Sequence, residues 1–242
     1  MLKIDKISKS VKKTQILQDI SFEVEAGEFI AVMGASGSGK STLLYSISGM
    51  DSISQGRVLF DGADMSQMDE AALSELRLNK MGFVFQQAQM LKNLTIFDNI
   101  TLPGLVANKE PAHKIRKRAT SLMKQMDLQG LEARDIKEVS GGQLQRVSIC
   151  RAMINQPAIL FLDEPTGALN STAADQVLAI LGDLNRQGIT IMMVTHDPRV
   201  AAKARKIIYI RDGQIAASKD LTSATDSELE LGEWLKSLHA SA

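Results

Sequence analysis

The clearest chemistry in this sequence lies in Gly34-Ala35-Ser36-Gly37-Ser38-Gly39-Lys40-Ser41, which fits G-x-x-x-x-G-K-[ST]. Glycines let such a loop turn its N–H groups inward around phosphate, and a helix that starts at its end offers its positive end to the same anion. Lys40 would hold the β and γ phosphates, and Thr42 follows at the helix start. The Ser41 hydroxyl suits Mg²⁺, an ion that keeps most of its waters and needs few protein ligands. Far downstream, Ile159-Leu160-Phe161-Leu162 ends in Asp163-Glu164. Adjacent acids at the carboxyl end of a buried strand are costly unless a cation or a water uses them. Asp163 suits the metal, through a water, and Glu164 suits polarisation of an attacking water. A kinase, a GTPase or another phosphate-loop protein would satisfy the loop by itself.

A third constellation is Val139-Ser140-Gly141-Gly142-Gln143 at the opening of a helix that continues through Leu144, Val147 and Ile154. Ser140 and Gln143 have the spacing of an S-x-x-Q capping box, a purely structural arrangement. That box does not call for the glycines; Gly141 and Gly142 would let backbone N–H groups come close to a phosphate at the positive end of the helix.

The elements that must position these groups follow from periodicity. Ser21 to Val24 alternates as a strand, Ala26-Gly27 is a turn, and Phe29 to Met33 is a continuous apolar run of the buried-strand kind. From Lys40 the spacing of Leu43, Leu44 and Ile47 is helical, with Gly49 to end it, so strand, glycine loop and helix come in succession. Val58 to Phe60 and Asp61-Gly62 read as a strand entering a hairpin. Helices are predicted over about 68–80 and 112–126, the second with Ile115, Ala119, Leu122 and Met126 on one face. On its other face Lys114, Arg116, Lys117 and Arg118 read as a solvated surface.

Ala158 to Leu162 and Ile189 to Val194 are buried-strand runs, separated by a helix with Val177, Leu181 and Leu184 on its apolar face: a βαβ unit. Thr172 and Asp175 have the T-x-x-D spacing of a cap for that helix. Ile207 to Ile210, Asp212-Gly213 and Ile215 form a closing hairpin. Ser218 to Asp226 is polar and reads as mobile, and a last helix carries Leu231, Trp234, Leu235 and Leu238 for docking on the domain.

Composition narrows the class. Lys+Arg and Asp+Glu balance at 28 each, so the basic excess of a general nucleic-acid binder is missing and no nucleic-acid partner is expected. The single cysteine, Cys150, rules out an intrachain disulfide or a cysteine metal cluster, and reads as a small buried residue. No apolar run approaches the roughly 20 residues that span a bilayer, and Met1 to Lys6 lacks the apolar stretch of a secretory signal. If the protein serves a membrane, another chain must cross it.

Taken in order, these motifs and three further pieces resemble the nucleotide-binding subunit of an ABC transporter. Phe85-Gln86 resembles the Q-loop, and Val139 to Gln143 the signature motif with Val for the usual Leu. Gly167-Ala168-Leu169-Asn170 resembles the D-loop, and Thr195-His196-Asp197 the switch histidine. The resemblance covers residues from about 2 to 217. It implies an α/β fold: a phosphate-loop NTPase (RecA-like) core, an N-terminal antiparallel β subdomain and an inserted α-helical subdomain over about 87–150, with 218–242 as a C-terminal tail. It also implies ATP and Mg²⁺, hydrolysis of ATP to ADP and phosphate, Gln86 on the metal or the attacking water, and His196 on the γ-phosphate. Two copies would pair head to tail, with Ser140 and Gly142 of one reaching the phosphate that Lys40 of the other holds. An integral membrane permease would be the other partner, and the cytoplasmic face of the cell membrane the location.

The wording of Met33 to Gly37, Asp163 to Leu169 and Thr195 to Pro198 resembles the lipoprotein-release, macrolide-export and antimicrobial-peptide-resistance group, the bacitracin-resistance type most of all. That type implies transmission of force to a permease. Rival readings are a soluble ABC ATPase acting outside transport and a regulatory subunit that hydrolyses little. Two further positions depart from the family pattern. Val11 stands where an aromatic residue would stack on adenine, which forgoes about 1 kcal/mol. Asn170 ends the D-loop where Asp is usual, keeping hydrogen-bonding capacity without charge, at a position where the two copies would meet.

Overall fold

The computed structural model describes residues 1–221 and 225–240. In chain order the elements are β1 (Leu2–Val11), β2 (Thr14–Val24), β3 (Phe29–Met33), α1 (Lys40–Ile47), β4 (Gln55–Phe60), β5 (Ala63–Asp64), α2 (Glu70–Lys80), β6 (Met81–Val84), α3 (Ile96–Ala107), α4 (Ala112–Gln125), α5 (Gly141–Met153), β7 (Ile159–Asp163), α6 (Ser171–Arg186), β8 (Thr190–Val194), α7 (Pro198–Ala201), β9 (Lys206–Arg211), β10 (Gln214–Asp220) and α8 (Ser227–Ala240). Contacts divide the chain into two units, Met1–Met68 with Thr190–Ala242, and Asp69–Ile189.

In the first unit, β2-β1-β4-β5 form an antiparallel sheet. Leu2 and Ile4 of β1 are buried by simple alternation, which would turn Ile7 outward. Lys6 and Asp19 have positive φ, and the register shifts between Ile4 and Ile7. The bulge reverses parity, so Ile7 and Lys9 are buried as well. Gly56 of β4 permits the bulge, since a Cβ there would lie 2.3 Å from the Lys6 carbonyl oxygen.

Every residue of β3 is buried, as the continuous apolar run requires, and β3 pairs in parallel with both β8 and β9. Strands β9 and β10 are antiparallel across Asp212-Gly213, both with positive φ. Strand β10 continues to Asp220, with Ser218 opposite Ile208 and Asp220 opposite Lys206. Residues 218–220 are therefore paired strand and not part of a mobile run, while residues 222–224 of that run lie outside the described residues. Helix α8 buries Leu231 and Leu235 and sets Trp234 edge-on to Tyr209, with ring centroids 6.4 Å apart.

In the second unit β6 and β7 pair in parallel from Met81↔Ile159 to Val84↔Leu162. Helix α4 buries Ile115, Ala119 and Leu122, with Met126 buried at its end, the face its periodicity predicts. Its basic run divides: Lys114 and Lys117 are exposed, whereas Arg118 is a structural tie that pairs with Glu110 and donates to the Ile154 carbonyl at 2.6 Å. Helix α3 has no counterpart in the sequence reading because Pro103 and Gly104 sit inside it. Its first turn is capped by Thr95, and buried Asn99 ties the preceding loop by accepting from Leu91 N–H (2.8 Å) and donating to Leu91, Leu94 and Thr95 carbonyls. Cys150 is fully buried beside the Met126 sulfur, and burial pushes its thiol up to about 12.

Candidate active site

The phosphate-type loop is shaped by main chain. A Cβ on Gly34 would lie 2.2 Å from the Ile210 carbonyl oxygen of β9, and one on Gly39 would lie 3.0 Å from the Ile16 carbonyl oxygen of β2. Gly37 and Gly39 also hold positive φ, which glycine adopts at little cost. Lys40 is buried, and its ammonium donates to the carbonyl oxygens of Gly34 (3.0 Å) and Ala35 (2.8 Å), which sets the charge at the loop itself. Helix α1 begins at Lys40 after Gly39 at its N-cap, with no side-chain cap, and Ser41 and Thr42 belong to its first turn. An anion is the natural complement of an N-terminus built in this way. The Ser38 hydroxyl is buried without a hydrogen-bond partner, a second sign that the loop suits a polar guest. Beside Ala35–Ser38 a cavity of about 310 Å³ is walled by Tyr209, Ile210, Arg211 and Asp212.

The same unit carries His196 and Val11. The N–H of Thr195 donates to the carbonyl of Val32 at 3.1 Å, so the exposed His196 follows a segment fastened to the strand that feeds the loop. Asp197 then caps α7 by accepting from Arg199 N–H at 2.9 Å. Burial pushes the Asp197 carboxyl up, but the Arg199 guanidinium and the N–H groups of Arg199 and Val200 outweigh it and hold it below its usual value. Val11 is 50% exposed at the hairpin end of β1, where it pairs with Thr14.

In the second unit Asp163 is the buried last residue of β7, and Glu164 leaves the strand with φ 49. A left-handed glutamate is a strained choice, tolerated where the surroundings fix it. Here the Gly167 N–H closes the turn onto the Glu164 carbonyl at 3.1 Å. A Cβ on Gly167 would stand 2.9 Å from Gln86 Nε2, so the Gln86 amide lies against the turn that carries the carboxylates. Gln145, buried on α5 and absent from the sequence reading, donates to the Phe85 carbonyl at 3.1 Å and anchors the segment that bears Gln86.

The capping box is present: Ser140 Oγ accepts from Gln143 N–H (3.2 Å), and Ser140 N–H donates to Gln143 Oε1 (2.8 Å). The two glycines have separate reasons. Gly141 is exposed, and a Cβ there would make an ordinary 3.7 Å contact with Leu169. Gly142 is buried, and a Cβ there would come within 2.8 Å of the Ala173 Cβ. Gly142 is thus also required by the packing of α5 on α6. The cap of α6 differs from the one its sequence spacing suggested. Asn170, not Thr172 with Asp175, accepts from Ala173 N–H at 2.9 Å. Asn and Asp cap equally well, so the departure at this position costs the helix nothing.

Residues 17–167 match the ABC transporter family, a span that contains the glycine loop, Gln86, the Ser140 turn and Asp163-Glu164. The chain belongs to that family. It is 42% identical over 219 residues to the uncharacterized ABC transporter ATP-binding protein YvrO of Bacillus subtilis, covering 89% of this chain and 95% of that protein. It is 44% identical over 200 residues to the macrolide export ATP-binding/permease protein MacB of Mannheimia succiniciproducens, covering 83% of this chain but only 31% of that longer protein. Among solved structures, the MJ0796 cassette, seen as a dimer in a post-hydrolysis state bound to ADP and Pi, superposes with a TM-score of 0.85 at 35% identity over 92% of this chain and all (100%) of that one. The cbiO1 protein of Clostridium perfringens, part of the cbiONQ transporter complex, superposes with a TM-score of 0.84 at 26% identity over 99% of this chain and 98% of that one.

The chain is an ABC-type ATPase with the α/β phosphate-loop NTPase fold. Its first unit holds the glycine loop and His196; its second holds Gln86, the Ser140 turn and the strand-end carboxylates. No helix among the described residues is long and apolar enough to cross a membrane.

Proposed function

We propose that two copies of this chain bind ATP between them, head to tail, and drive a separate membrane permease from the cytoplasmic face of the cell membrane. The observation that carries this reading is the exposed Ser140-Gly141 turn at the positive end of α5, a phosphate-seeking surface that a partner's loop would complete. The dimeric MJ0796 cassette supports it. Residues Gly34 to Thr42 of one copy hold the triphosphate, Lys40 foremost, and Ser140, Gly141, Gly142 and Gln143 of the other copy seal it. Ser41 would hold Mg²⁺, Asp163 through a water, with Gln86 on the metal or on the attacking water, and the ion would neutralise charge on the phosphates.

Glu164 orients and polarises a water toward the γ-phosphorus, and His196 contacts the γ-phosphate oxygens. The water oxygen forms the new bond to phosphorus, the bridging bond to the β-phosphate breaks, and ADP departs with that electron pair. Loss of the γ-phosphate removes the link between copies and lets the pair reopen, so one turnover is one stroke on the permease.

Residues 1–217 are read as one ATPase domain with its helical insertion at about 87–150, and 218–242 as a tail. Within the family, the motif wording and the macrolide-export relative support the export and resistance group. The finer reading is antimicrobial-peptide resistance of the bacitracin type, by transmission of force. A regulatory role with little hydrolysis is favoured by one observation, the exposed aliphatic Val11 in place of a stacking ring. Glu164→Gln tests the main reading: the variant pairs on ATP, by light scattering, while phosphate release collapses. Turnover near that of the parent would overturn the role of Glu164, and negligible release by the parent itself, with its permease, would favour the regulatory reading.

A further inference from the structure

Helices α5 and α6 meet through residues that, Gly142 apart, no sequence motif marks. Gly142 and Arg146 lie one turn apart on α5, and Ala173 and Gln176 lie one turn apart on α6. The first pair leaves no room, since even one methyl on Gly142 would come within 2.8 Å of the Ala173 Cβ. The second pair is a hydrogen bond, Arg146 Nη1 to Gln176 Oε1 at 2.8 Å, made by a buried guanidinium whose Nε has no partner. Ala173 is tied on its other side as well, because its N–H donates to the Asn170 side chain that caps α6. One small residue thus fixes two helix starts, that of Ser140 and that of Asn170.

We propose that Ala173 is a positioning residue for ATP-driven pairing, holding the Ser140 turn and the Asn170 turn as one rigid surface that the partner copy meets. The inference rests on the reading given under Proposed function, in which both turns face the other copy. A larger side chain at 173 wedges α5 from α6 and displaces Ser140, whereas capture of nucleotide by a single copy uses the Gly34–Thr42 loop of the other unit and is spared.

The test uses the full chain carrying Glu164→Gln, so that ATP-bound pairs accumulate. Ala173→Val, Ala173→Ser and Gln176→Leu are each added, and pairing is measured by sedimentation equilibrium with ATP and Mg²⁺. Nucleotide affinity of single copies is read by titration at protein concentrations too low for pairing. Ala173→Val is expected to weaken pairing by about tenfold to a hundredfold, Gln176→Leu by about threefold to tenfold, and Ala173→Ser by less than about twofold, with single-copy affinity unchanged throughout. Pairing by both Ala173→Val and Gln176→Leu at the strength of the parent overturns the inference. So does a parallel loss of single-copy affinity, which would mark a merely structural residue. Should Ala173→Val fail to fold, Gln176→Leu alone decides, since it removes a bond and introduces no clash. A parent that does not pair on ATP sinks the functional reading and this inference with it; a parent that pairs, with variants like it, sinks the inference alone.

Discussion

The glycine loop and the Ser140 turn are both shaped for phosphate, yet they are held in opposite ways. The loop is confined by main chain: carbonyl oxygens of Ile210 and Ile16 stand where side chains on Gly34 and Gly39 would go. The turn is confined by side chains: Ser140 and Gln143 cap each other, and Gly142 rests on the methyl of Ala173. A carbonyl oxygen is present whatever residue carries it, so the loop's demand for glycine does not depend on the identity of its neighbours. A methyl is one residue's choice, and the demand at Gly142 can be relaxed by changing that neighbour.

The first way to break the comparison is Gly34→Ala. With the backbone of β9 in the way, the variant is expected to lose about 3 kcal/mol, measured by urea unfolding, and nucleotide binding with it. No single substitution at 210 should rescue it, because the obstructing atom belongs to the main chain. The second is Gly142→Ala, expected to cost about 1–2 kcal/mol by overpacking against Ala173. Here the double variant with Ala173→Gly should recover part of that loss beyond the sum of the single changes, a coupling of about 0.5–1 kcal/mol in a double-mutant cycle. Additive behaviour would show that α6 does not constrain Gly142. Gly141→Ala, facing only an ordinary contact, serves as the control for stability.

The same contrast explains what could be read from the sequence. Main-chain constraint leaves its mark at the constrained position, so Gly34 to Ser41 announces the loop and the all-buried β3 announces the strand before it. The capping box at Ser140 was legible although side chains make it, since both of its partners lie within one turn. What escaped was support from afar. Gln145 and Arg146 reveal themselves only as polar residues on the inward face of α5, and their partners, Phe85 and Gln176, are distant in sequence. The left-handed Glu164 leaves no trace in its residue type. Helix α3 was hidden by Pro103 and Gly104, whose local propensity is overridden because Gly104 lets Ile115 of α4 approach: a Cβ there would lie 2.7 Å from the Ile115 Cγ2. The cap of α6 was misplaced by a motif match, when the first polar residue before the helix was already sufficient.

That cap provides the smallest effect and the sharpest separation of roles. Asn170 accepts from Ala173 N–H, so Asn170→Ala should remove one capping bond and cost about 1 kcal/mol of stability. Asn170→Asp keeps an acceptor at the positive end of α6 and should unfold at or slightly above the parent's midpoint. If pairing between copies also depends on the charge at this position, Asn170→Asp alters ATP-driven pairing while Asn170→Ala, having lost the cap, alters both pairing and unfolding. The two readouts therefore distinguish a side chain kept for its helix from one kept for its partner. Equal midpoints for the parent and Asn170→Ala would mean that the hydrogen bond to Ala173 contributes nothing. The small-residue contact with Gly142 and the hydrogen bond from Arg146 to Gln176 would then remain to hold the first turns of α6 against α5.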